Sequence, residues 1–174
     1  MKHSKKNQMM AFFYLGLFIF FGTSFLRAQE GDMFAHHTGR TELNPRTGII
    51  LNEEEAPRVL NQCSRFTIKA DRFWKPTQEE VDKFNQQISQ YFRQEHVRKP
   101  TQSLEEYNRQ YIGVWSLEKK YIYANFYYRP IAEELGLPLI KAVSICSGGD
   151  YFFGMTYNVV ENTIQDVRYN SEAG

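Results

Sequence analysis

The sequence predicts an α+β domain, with one long helix packed on a four- to five-stranded antiparallel meander, behind an export signal. Three observations predict it. The most apolar stretch of the 174 residues lies within the first 28, behind a basic start. A single capped amphipathic stripe begins at Thr77. From Tyr111 onward the apolar residues recur at every second position rather than at helical spacing. Helix and strand segregated in this way indicate α+β rather than an alternating parallel α/β fold.

Residues 1–28 open with Lys2, Lys5 and Lys6, continue through the apolar run Met9 to Phe21, and close on Gly22, Thr23, Ser24 and Ala28. This is the three-part layout of a secretory signal peptide, with cleavage expected after Ala28 and Ser24 as the alternative point. The competing reading is an uncleaved anchor, since the run extended to Leu26 approaches the roughly 18 to 20 residues that span a bilayer. Without the segment, 17 basic face 20 acidic side chains. A mildly acidic chain gives no reason to expect a nucleic-acid partner.

Residues 29–60 show no sustained period, carry Gly31, Gly39, Pro45, Gly48 and Pro57, and read as an extended or mobile lead-in. The domain itself is expected over 61–174. Its first strand is read at Ser64 to Phe73, where Phe66, Ile68 and Ala70 alternate with polar neighbours. Thr77 and Glu80 form a capping box. Val81, Phe84, Ile88, Tyr91 and Phe92 then make one helical face, ending near Arg98 because Pro100 disfavours helix in the residue before it. Ser103 and Glu106 cap a second, short helix. Tyr111 to Trp115 and Tyr121 to Tyr128 form a hairpin, followed by strands at Leu139 to Cys146, Tyr151 to Asn158 and Ile164 to Tyr169.

Both faces of this sheet carry large side chains. Tyr121, Tyr123 and Tyr127 alternate with Ile122, Ala124 and Phe126, while Tyr151, Phe153, Met155 and Tyr157 alternate with Phe152 and Gly154. One face packs on the helix. The other needs a cover, which the lead-in, a second copy of the chain or a ligand would supply. Tyr121, Tyr123, Tyr127, Tyr151, Phe153 and Tyr157 are therefore the candidate binding residues, tyrosine offering contact area and a hydroxyl together.

Cys63 and Cys146 are the only cysteines, and in an oxidising compartment their default state is one disulfide. A nucleophilic thiol is the alternative, but outside residues 1–28 the only imidazoles are His36, His37 and His96. Adjacent His36 and His37 lack further ligands at regular spacing, so no metal is expected. Ser147-Gly148-Gly149-Asp150 reads as a turn between strands rather than an anion nest. No phosphate loop, dinucleotide fingerprint or nucleophile elbow is present, and no cofactor is expected. If the domain were an enzyme, Arg65, Arg109, Tyr111 and Asp150 would be the pocket candidates.

The layout resembles the cystatin and nuclear-transport-factor class of folds, in which one long helix lies across a curved antiparallel sheet. Gln110-Tyr111-Ile112-Gly113-Val114 stands where cystatin inhibitors carry Gln-x-Val-x-Gly, but its glycine comes one residue early, so the resemblance does not extend to protease inhibition. The chain also resembles a group of uncharacterised exported bacterial proteins sharing Gln62-Cys63-Ser64-Arg65, Phe73-Trp74-x-Pro76, Arg109-Gln110-Tyr111-x-Gly113 and Cys146-x-Gly148-Gly149. That resemblance implies a shared fold and the disulfide, and brings no activity. The expected function is an exported noncatalytic module binding a protein or small apolar ligand. The alternatives are a hydrolase or isomerase with a polar pocket between helix and sheet, and an envelope structural protein forming a homo-oligomer.

Overall fold

A computed structural model describes residues 48–172; the signal segment, most of the lead-in and the His36-His37 pair lie outside them. The fold is α+β, built on a mixed six-stranded sheet with few, mostly short helices. β3 (Tyr107–Ser116), β4 (Lys119–Tyr128), β5 (Phe152–Asn158) and β6 (Thr163–Tyr169) pair antiparallel in chain order. The outer edge of β3 is shared. β1 (Ile49–Ile50) pairs parallel with it at Gln110 and Tyr111, and β2 (Arg72–Trp74) pairs antiparallel with it at Gly113 to Trp115.

Local chemistry explains the main elements. α2 (Gln78–Tyr91) starts at Thr77, whose hydroxyl accepts from the Glu80 amide while the Glu80 carboxylate accepts from the Thr77 amide at 2.9 Å. The helix ends at Tyr91 rather than near Arg98, and its last residues run on as turns. The short helix expected after Ser103 is a single 3-10 turn, Leu104–Glu106, from which β3 departs directly. The hairpin between β3 and β4 turns on Leu117 and Glu118, both at positive φ, as a two-residue turn with the twist of its strands requires.

One face of the sheet packs on α2. Val81, Phe84, Ile88 and Phe92 meet Tyr107, Tyr111, Ile122, Ala124, Phe126, Phe153, Met155 and Tyr157, all buried. Ring stacking sets the register of this layer: Phe84 lies 4.8 Å from Tyr157 and Phe126 4.4 Å from Phe153, each pair nearly parallel. Gly113 is required here, because a Cβ would fall 2.3 Å from the Trp74 carbonyl oxygen.

The opposite face is covered by the chain itself. Residues 48–60, expected to belong to an extended lead-in, instead form β1, a 3-10 turn Glu53–Glu55 and α1 (Ala56–Leu60). Leu51, Ala56 and Val59 bury themselves against Ile112, Val114 and Tyr123. A second cover, α3 (Arg129–Glu134) with the chain through Ile145, packs Ala132 and Val143 on Tyr127 and Phe152. No strand forms over residues 64–71 or 139–146, although both alternate. Side chains rather than a neighbouring strand take up the backbone of the second segment: Gln110 Nε2 donates to the carbonyls of Leu139 and Lys141, and Asn125 Nδ2 to that of Val143. In the first segment Phe66, assigned to the half-buried strand, stands 88% exposed.

A buried arginine joins the two covers. Arg65, 7% exposed, donates through Nε to the Tyr123 hydroxyl at 3.1 Å and through its two terminal nitrogens to the side-chain carbonyls of Asn125 and Asn170. Asn170 in turn donates to the carbonyls of Ile145 and Ser147, on either side of Cys146. Cys63 and Cys146 are disulfide-bonded, with Cα atoms 5.0 Å apart and both residues exposed, so one covalent bond and one polar hub fasten the same two segments.

Candidate functional site

The six aromatic candidates do not form one surface. Tyr123 and Tyr127 lie under the covers, while Phe153 and Tyr157 point through the sheet to α2, and all four are buried. Tyr121 and Tyr151 are half-buried. The physical reason is the register: β4 and β5 are paired so that Ile122 faces Tyr157 and Phe126 faces Phe153, which puts Phe153 and Tyr157 on the face opposite Tyr121, Tyr123 and Tyr127. The Tyr127 hydroxyl is buried without a partner, and burial pushes its pKa up to about 12.

Of the four pocket candidates, two meet. Arg109 and Tyr111 are neighbours on the helix-facing side of β3 and converge on Asn85 of α2. Asn85 Oδ1 accepts from Arg109 Nη1 at 2.8 Å and from the Tyr111 hydroxyl at 2.6 Å. Arg109 is 8% exposed, its other terminal nitrogen donates to the Leu104 carbonyl at 2.9 Å, and its guanidinium lies 5.5 Å from the Phe126 ring. Burial drives the Tyr111 pKa upward, with Arg109 and Asn85 opposing, so the hydroxyl stays protonated at neutral pH. Arg65 belongs to the hub on the other face. Asp150 accepts from the Thr101 amide and hydroxyl, which, with charge from Arg98, hold its carboxyl below the usual carboxylate range against a partial burial penalty.

The convergence on Asn85 lies beside a groove between α2 and the turn that leads into β3. Asn85, Ile88 and Ser89 form its helix wall, Ser103, Leu104 and Glu105 the facing wall, and Arg109 its floor, around a volume of about 450 Å³. A second groove of about 250 Å³ runs between α2 and the start of β6, lined chiefly by Gln87, Gln90, Gln94 and Tyr91. Leu104 and the edge of the buried Ile88 give the first groove its apolar atoms, and Asn85, Ser89, Ser103, Glu105 and Arg109 its polar ones. That mixture suits an amphipathic small molecule.

Asn85 is the residue that sequence reasoning passed over. A signal was present: it lies four residues after Val81 and four before Ser89, a polar position at the edge of the buried stripe. Among the described residues, no group of three or more His, Cys, Asp or Glu side chains is placed to hold a metal, and no helix is long and apolar enough to cross a membrane. The chain matches no family model, no curated protein and no solved structure.

Proposed function

We propose that this protein is an exported, noncatalytic binding module of cystatin-like layout that holds a small, largely apolar ligand in the groove between α2 and the Ser103–Glu105 turn. The groove carries the reading: its volume of about 450 Å³ falls in the range of small-molecule sites, and it combines the apolar side chains of Ile88 and Leu104 with polar groups from both walls and the floor. The burial of Tyr123, Tyr127, Phe153 and Tyr157 supports this groove over the aromatic sheet face as the binding surface. Export is supported by the basic and apolar N-terminal pattern and by the Cys63–Cys146 disulfide. The helix lying across β3 to β6 supports the cystatin-like description.

Isotope-edited NMR tests the site. Titration of the exported protein with three probes of equal stem, hexanoate, 2-heptanone and hexylamine, is expected to shift the backbone amides of Ser89, Ser103 and Leu104. Ser89→Trp, filling the groove from its exposed wall, is expected to abolish those shifts. Shifts that map elsewhere, or that survive the tryptophan, would overturn the assignment.

A second reading rests on the meeting of Arg109, Tyr111 and Asn85, which is the polar convergence that a small hydrolase or isomerase would use. It requires conversion of a bound acyl or carbonyl compound. Unchanged probe spectra after prolonged incubation with catalytic amounts of protein would count against it.

A further inference from the structure

The second groove, between α2 and the start of β6, has a chemistry of its own. α2 changes character along its length: its first turns carry Glu79, Glu80, Asp82 and Lys83, whereas the nine residues from Phe84 to Phe92 hold no charged side chain. Gln87, Gln90, Tyr91 and Gln94 recur at the spacing of one helical stripe, which flanks the buried stripe on the side away from Asn85. The facing wall is equally neutral, since Thr163 and Ile164 belong to the uncharged run Asn162 to Gln165. It is also braced: the Tyr157 hydroxyl donates to Asn162 Oδ1 at 2.6 Å, and Gln165 Nε2 donates to the Thr163 hydroxyl at 2.7 Å. Three amides, a hydroxyl, a phenol and an isoleucine thus line about 250 Å³ without one ionised group. Burial, with the charge of Asp166, raises the Tyr91 pKa and keeps that hydroxyl protonated, while Asp166 itself is paired with Arg168 at 2.7 Å.

We propose that this groove binds a neutral sugar ring. Sugar hydroxyls both donate and accept, and so do primary amides and the threonine hydroxyl, so each can satisfy the other in either sense. Among the described residues no side chain takes up the amides of Gln87, Gln90 or Gln94, which leaves them for a ligand. The Tyr91 ring and Ile164 offer apolar surface to the carbon-bound hydrogens of a ring face. An ion finds no counter-charge on either wall and gives up hydration without return. A purely apolar molecule leaves the amides it covers with neither water nor a partner. The two grooves share no lining residue, so this site is independent of the first.

Titration of the exported protein with the methyl glycosides of glucose, galactose and mannose tests it by NMR. Two molecules of similar ring size serve as controls: methyl glucuronide, which is anionic, and cyclohexylmethanol, which has a single hydroxyl. At least one glycoside is expected to shift the side-chain amide resonances of Gln87, Gln90 and Gln94 and the backbone amide of Thr163, with a Kd of about millimolar order and about tenfold or more below that of either control. Gln90→Glu, an exposed substitution that keeps the size and adds a charge, is expected to weaken that glycoside by about threefold or more. Tyr91→Leu, which keeps apolar bulk and removes the ring, is expected to weaken it by a similar factor. The wild-type glutamine resonances give a readout that does not depend on any variant folding. Absence of those shifts with every glycoside at about 50 mM, or shifts that map elsewhere, would overturn the proposal. So would a control that binds as tightly as the best glycoside, or a glycoside that both variants bind as the wild type does. None of these results bears on the first groove, whose reporters are Ser89, Ser103 and Leu104.

Discussion

Arg65 is a buried cation whose removal leaves three side-chain partners without their donor. Three neutral groups surround its guanidinium, the Tyr123 hydroxyl and the side-chain carbonyls of Asn125 and Asn170, and their geometry fits a planar fork. Arg65→Met would leave those acceptors buried without their donors, and Arg65→Lys would restore the charge but not the fork. Both variants are expected to lose at least about 2 kcal/mol in urea unfolding. A loss below roughly 0.5 kcal/mol would mean that the hub is an incidental contact. The cysteines and Arg65 could be picked out from sequence as polar or reactive residues. The role of Arg65 could not, because its partners come from positions 58, 60 and 105 residues away. Asn85 was hidden for the same reason, its partners lying 24 and 26 residues on.

At the scale of elements, what was legible in the sequence was what depends on near neighbours. The Thr77 and Glu80 cap, the Val81, Phe84 and Ile88 stripe and the β3–β4 hairpin all rest on contacts within a few residues or across one turn, and all are present. The segments at 64–71 and 139–146 alternate like strands, yet their partners are side chains and a covered face, which alternation alone does not distinguish from a ladder. The start of α2 also carries a pH response. Partial burial pushes the Glu80 carboxyl up, but hydrogen bonds from Lys120 at 2.7 Å and from the Thr77 amide and hydroxyl outweigh it and hold the pKa below its ordinary 4.5. Because the folded value is depressed, the stability it contributes is complete above 4.5 and is lost as pH falls through the lower folded value. Lys120→Met, which also removes the ammonium lying 3.7 Å from the centre of the Trp74 ring, is therefore expected to destabilise the protein at neutral pH and to do so less once Glu80 is protonated. Thr77→Ala is expected to cost about 1 kcal/mol at neutral pH. Thermal unfolding of both variants across the acid range checks the sign, and a Lys120→Met penalty that is constant with pH would refute the linkage.

The described residues form a sheet held between two unlike layers. α2 covers one face chiefly through side-chain packing, with hydrogen bonds from Asn85 and Glu80, whereas the other face is covered by two segments that are short of regular structure and depend on fasteners. The fasteners act on different states. The Cys63–Cys146 bond closes a loop of 83 residues, so by the chain-entropy account it restricts the unfolded chain by about 4 to 5 kcal/mol. The Arg65 hub and the Gln110–Asn125 pair act in the folded state, holding the same covers by hydrogen bonds. Removing the disulfide by Cys63→Ser with Cys146→Ser is therefore expected to lower global stability by up to that amount while leaving the covers in place at neutral pH. Hydrogen exchange separates the two effects. In the double variant the amides of 53–70 and 137–147 should exchange faster only through global unfolding, in step with β3 to β5. Exchange in the covers that accelerates well ahead of β3 to β5 would show instead that the disulfide, and not the hub, keeps the second face closed. The groove beside Asn85 lies on the α2 side of the sheet, so its probe affinities should be unchanged in the double variant as long as the protein remains folded.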